Sequence, residues 1–127
     1  MNKILFLILL CCFKLSAATT PETVIILESI SNHGAVIKKE VVLIKDSIVL
    51  VNGEKLSPVE IITQSDHMKN ISTFLVSEIG NHCETGTFKH IYKKGKEVKE
   101  EHGCLNSERF NHLEKSFKGL KKDRVTQ

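Results

Sequence analysis

The 127-residue chain has no tryptophan, one tyrosine, two prolines and seven glycines. Proline and glycine this scarce exclude a linker, a collagen-like repeat and a low-complexity chain. Charge of one sign is lacking too: eighteen basic against fifteen acidic side chains leave a formal net charge of +3. No apolar run reaches the roughly 18 residues that a membrane-spanning helix needs. CxxC, HxH, HExxH, GxSxG, SxxK and a glycine-rich phosphate loop are all absent, and with them the usual announcements of zinc sites, hydrolases and nucleotide-binding enzymes. What is there, 41% hydrophobic and 26% charged residues, suits one small globular domain.

The N-terminus reads as an address. A basic start, Met1-Asn2-Lys3, precedes an apolar run from Ile4 to Phe13, and Ser16-Ala17-Ala18 places small residues at the −3 and −1 positions of a peptidase site. This layout predicts a secretory signal peptide over 1–18, cleaved after Ala18, and one domain over 19–127. Neither Cys11 nor Cys12 follows the small residue that a lipoprotein signal requires, which argues against lipidation. Lys3 and Lys14 leave with the leader, so sixteen basic side chains remain against fifteen acidic ones. The general electrostatic case for a nucleic-acid binder goes with them. The expected location is secreted or periplasmic.

Cleavage also removes Cys11 and Cys12. Cys83 and Cys104 remain, and in an oxidising compartment two cysteines admit one intramolecular disulfide. Residues 86–93 and 96–102 flank Lys94-Gly95, which reads as a two-residue hairpin turn. Pairing across it joins residues whose numbers sum to 189, with Lys89 facing Glu100 and the cysteines nearly opposite at the open end.

Upstream, Thr23 to Ile30, Ala35 to Lys45 and Ile48 to Val51 read as strands, reversed at Ser31–Gly34, Asp46-Ser47 and Asn52-Gly53. Leu56-Ser57-Pro58-Val59-Glu60-Ile61 carries an N-cap, a proline at the first helical position, a capping box and a hydrophobic staple. A helix is expected over 58–67 and a strand over 71–79. Leu105 and Asn106 then open a terminal helix as staple and N-cap, with Phe110, Leu113, Phe117 and Leu120 on one stripe and lysines toward its end. The tail from about 122 is expected to fray. The fold class is therefore α+β: an antiparallel β-meander of five to seven strands, two helices on one face and one disulfide.

Six histidines (33, 67, 82, 90, 102 and 112) are spaced too widely for a zinc motif, and a solvated surface is their ordinary place. No cofactor or metal is expected. Cys83 and Cys104 are committed to the disulfide, so neither serves as a nucleophile. From Lys89 to Arg124 there are eleven basic and six acidic residues. Within that stretch His90, Tyr92, Lys93 and Lys94 form a candidate partner-binding hairpin tip, an aromatic anchor in a basic setting. The same lysines would also discourage strand-to-strand aggregation. Asn70-Ile71-Ser72 is an N-glycosylation sequon.

These features point to a small exported, non-catalytic binding protein, an inhibitor, immunity-type or envelope-associated factor acting on a protein partner in the periplasm or extracellular space. It is expected to be a monomer. A small secreted hydrolase or metal-dependent enzyme, and a polyanion-binding envelope component meeting an anionic surface, are the alternatives.

Overall fold

The computed structural model describes residues 21–75 and 83–125. The leader over 1–18, Cys11, Cys12, His82 and the 76–79 part of the expected strand lie outside the described residues. Four strands come first: β1 (Thr23–Ile30), β2 (Val36–Lys45), β3 (Ile48–Val51) and β4 (Glu54–Lys55). Two short helices, α1 (Pro58–Thr63) and α2 (Ser65–Ile71), precede a hairpin of β5 (Thr87–Lys94) and β6 (Glu97–Cys104), and α3 (Glu108–Val125) ends the domain. One antiparallel sheet has the order β4-β3-β2-β1-β5-β6. The fold is α+β with a Cys83–Cys104 disulfide, as expected.

Local chemistry explains most of the turns. Asn52 and Gly53 both have positive φ (50° and 85°), as a type I′ hairpin requires. Asn52 does more than turn the chain: its Oδ1 accepts from the Val41 N–H and its Nδ2 donates to Glu40. At α1, the Ser57 hydroxyl accepts from the Glu60 N–H at 3.1 Å and the Glu60 carboxylate accepts from the Ser57 N–H at 2.9 Å, which completes the capping box. Leu56 is buried and Ile61 packs beside it on the core, as a staple should.

Four details depart from the sequence reading. The helix expected over 58–67 is two helices joined at Gln64, and the second runs on through Ile71. Residues 72–75 accordingly form no strand. The β5–β6 turn is Gly95-Lys96, so paired numbers sum to 191: Lys89 faces His102 and His90 faces Glu101. The cap of α3 is Ser107, whose Oγ accepts from the Phe110 N–H at 3.1 Å while donating to the Cys104 carbonyl, so Asn106 stands one residue outside.

The core lies between one sheet face and the helices. Ile25 and Leu27 from β1, Val42 from β2, Val49 and Val51 from β3 and Phe88 from β5 meet the α3 stripe of Phe110, Leu113, Phe117 and Leu120. Phe88 crosses over Gly103, its partner on β6, where a Cβ would collide with the ring. Gly86 combines two constraints. Its φ is +128°, and an added Cβ would strike the Ile30 carbonyl oxygen, a backbone atom with no freedom to retreat. Gly86→Ala is expected to cost about 3 kcal/mol through strain and displacement together, read as a lower urea midpoint at unchanged slope.

Candidate functional site

The hairpin tip is built by β5 and β6, and strand alternation splits the residues expected there. Tyr92 lies on the helix-covered side, half-buried, edge-on to Phe74 (centroids 6.1 Å apart) with the Lys99 Nζ 5.1 Å from its ring centre. That cation–π contact follows from the register, which pairs Tyr92 with Lys99. Lys93 is exposed on the opposite face, and Lys94 is exposed at the strand end beside the turn. The structure thus groups Tyr92 with Lys94 and Lys99, while Lys93 stands apart.

His90 does not belong to the tip. It is 0% exposed and sits in the core between β6, α2 and α3. Its ring stacks on Phe74 (centroids 3.9 Å apart, planes 6° apart) and meets the edge of Phe117. Nε2 is 2.8 Å from the Ile71 carbonyl oxygen and Nδ1 is 3.3 Å from Glu101 Oε1. Both neighbours are acceptors, and a neutral ring has one N–H, which the shorter distance assigns to Nε2. Burial first of all, with a smaller contribution from Arg109, holds the His90 pKa below its ordinary value, although Glu101 and the Ile71 carbonyl favour the charged ring.

Glu101 is 2% exposed and carries a bidentate partner: Arg109 Nε donates to Oε2 at 2.6 Å and its Nη2 to Oε1 at 2.8 Å. The Leu75 N–H donates to the same carboxylate, and Arg109 Nη2 also donates to the Thr73 carbonyl. Burial alone would raise the Glu101 pKa, but the hydrogen bonds from Arg109 first and then from the Leu75 N–H outweigh it and hold the carboxyl below its usual range. His90, Glu101 and Arg109 thereby grip Ile71, Leu75 and Thr73 in turn. The cluster has the composition of an acid–base site and the connectivity of a clamp on the segment after α2.

Sequence reasoning missed this cluster. Under the 189 register His90 faced Lys99; the two-residue slip preserves which face each side chain takes but changes every cross-strand partner. At the other end of the same segment, Cys83 and Cys104 have Cα atoms 5.2 Å apart, within ordinary disulfide geometry. Asn70 lies in the last turn of α2, half-buried, its amide donating to the Ser116 hydroxyl at 3.2 Å, and the sequon's Ser72 hydroxyl donates to the Met68 carbonyl. A glycan on Asn70 would displace the first of those bonds. Among the described residues, no three His, Cys, Asp or Glu side chains are grouped as a metal site would need. Among the same residues, no helix is long and apolar enough to cross a membrane.

Comparison with protein families, curated proteins and solved structures finds no match.

Proposed function

We propose that the chain is a small exported binding protein without catalytic chemistry of its own, acting by protein–protein recognition. The observation that carries this reading is where the ionisable groups go. His90, the base that an acid–base mechanism would want, is sealed at 0% exposure, with its neighbours engaged by the backbone of residues 71–75. A general base must come within hydrogen-bond reach of the proton it takes. The accessible features are instead those of recognition: an aromatic ring half-exposed among lysines at the end of a short, disulfide-stapled hairpin.

The hairpin tip is the surface to test. With the wild-type domain as bait in the native exported fraction, Tyr92→Ala combined with Lys94→Glu should abolish capture of the specific partner. Lys93→Glu, on the opposite face, should leave capture nearly intact. Capture equal in all three proteins would move the contact elsewhere on the domain. The exposed lysines 93, 94, 96 and 99 favour a second reading, binding of an anionic surface. In that case retention on heparin or on anionic vesicles should fall steeply with salt and respond to the lysine substitutions but not to Tyr92→Ala.

A further inference from the structure

Helices cover one face of the sheet. On the other, the runs VIILESI, VVLI and IVLV of β1, β2 and β3 are apolar at successive positions, the pattern of strands buried on both sides. Val24 and Ile26 of β1, Val41 and Leu43 of β2 and Leu50 of β3 point there half-buried, opposite the core set, with Ile91 of β5 beside them at 8% exposure. Their neighbours Ile48 and Val98 are 45% and 54% exposed.

The polar residues of this face carry a pattern of sign. One row crosses four strands through Lys39, Glu28, Lys89 and His102. Glu100, which the register places in the next row, lies 4.0 Å from Lys89 and 3.8 Å from His102. From β2 to β5 the order is plus, minus, plus, with Glu28 and Lys89 as the central pair. The next row runs Val41, Ile26, Ile91 and Glu100.

Reversing the charged row exchanges the signs of that central pair. A twofold axis parallel to the strands, between β1 and β5 and midway between two facing sheets, lays each row on its own copy in reverse. Glu28 then meets the second copy's Lys89 and Ile26 meets its Ile91, while Lys39 faces its His102, with Glu100 one row away. An isologous contact needs a surface complementary to itself in this way. We propose that this sheet face, which no helix among the described residues covers, is a self-association surface, on which two copies pack sheet to sheet about that axis. Aligned sheets cross at about 30°, which displaces the central Glu28–Lys89 contacts least. The sequence reading expects a monomer; the doubly apolar strands are what argue otherwise. This inference goes beyond the binding role proposed above and does not depend on it.

Sedimentation equilibrium of the exported, disulfide-intact protein is the test. The wild type should dimerise in the micromolar range, as an interface of modest area with a charged rim does. Glu28→Lys places like charges opposite each other at both symmetry-related contacts and should weaken the dimer about tenfold or more. Adding Lys89→Glu to it exchanges the signs and should restore the dimer. Thermal melts establish that each variant folds, and if Glu28→Lys does not, Glu28→Gln should weaken the dimer about threefold. A wild type that stays monomeric to about 100 μM, far above that range, overturns the proposal. So does a dimer indifferent to Glu28→Lys or Glu28→Gln, or one that the charge exchange fails to restore.

Discussion

Arg109→Ala should destabilise the domain by about 3–5 kcal/mol, because it leaves a carboxylate buried without its cation. Glu101 is 2% exposed and Arg109 19%, so water reaches the pair too poorly to replace the guanidinium. The intact pair need not be worth that much, since desolvation offsets most of what two buried charges gain from each other. The asymmetry lies in breaking it. The same substitution releases the Thr73 carbonyl, one of the backbone groups fixing residues 71–75. For a domain of this size the melting temperature should fall by roughly 15–25 °C. Arg109→Ala together with Glu101→Leu, which removes both charges, should recover part of the loss. A double variant as unstable as the single one would show that the hydrogen bonds to residues 73 and 75, not the stranded charge, carry the effect.

The cluster also sets how stability responds to acid. The folded pKa of His90 is depressed, so the unfolded chain takes up its proton first as pH falls. The stability due to its neutral form is complete above about 6.5, the unfolded value, and is lost progressively below it. Glu101 is depressed as well, and its contribution is complete above about 4.5 and lost as pH falls further. Both act in the same direction. The melting temperature should be level near neutral pH and fall in two stages in acid, and His90→Gln should remove the first stage only. A rise in stability between pH 6.5 and 5 would mean that His90 is charged in the folded protein.

How far the fold could be read in advance depended on the range of the interaction. Asn52-Gly53 and the Ser57–Glu60 box are settled within four residues, and both formed as expected. The stripe from Phe110 to Leu120 needed only a helical period, although its cap moved by one residue to Ser107. The strand expected over 71–79 failed at Ile71 to Leu75 for the opposite reason. Its β-branched and aromatic residues favoured extension, but the segment is held by His90, Glu101 and Arg109, which lie far along the chain. The hairpin shows the intermediate case. Lys94-Gly95 and Gly95-Lys96 are both acceptable turns, and either gives each side chain the same face. Only the second brings His90 opposite Glu101, and one sequence offers nothing to choose between them. The two-sided apolarity of β1 to β3 was legible all along, since runs such as VVLI do not alternate.

Cys83→Ser with Cys104→Ser should cost about 3 kcal/mol by the loop-closure argument, for cysteines separated by 21 residues. That is a large share of the roughly 5–15 kcal/mol that holds a typical domain together, and the melting temperature should drop by roughly 10–20 °C. The bond's place in the fold gives a sharper expectation than its loop length. Glu101 and Cys104 are three residues apart on β6: Glu101 takes the chain at Leu75 and Cys104 takes it again at Cys83, so one strand grips both ends of the same stretch. Two anchors on one segment should couple. With the disulfide gone, residues 71–75 lose the second attachment downstream of them, and Arg109 has less left to hold. Arg109→Ala should therefore destabilise the disulfide-free protein less than the wild type, by about 0.5–3 kcal/mol, the range seen for residues that share partners. Strictly additive losses would separate the clamp from the staple. The same bond ties stability to location. If the leader directs the chain out of the cytoplasm, the exported protein should lack residues 1–18 and weigh two hydrogens less than its reduced form, whereas protein trapped in a reducing compartment should show the low melting temperature of the serine variant.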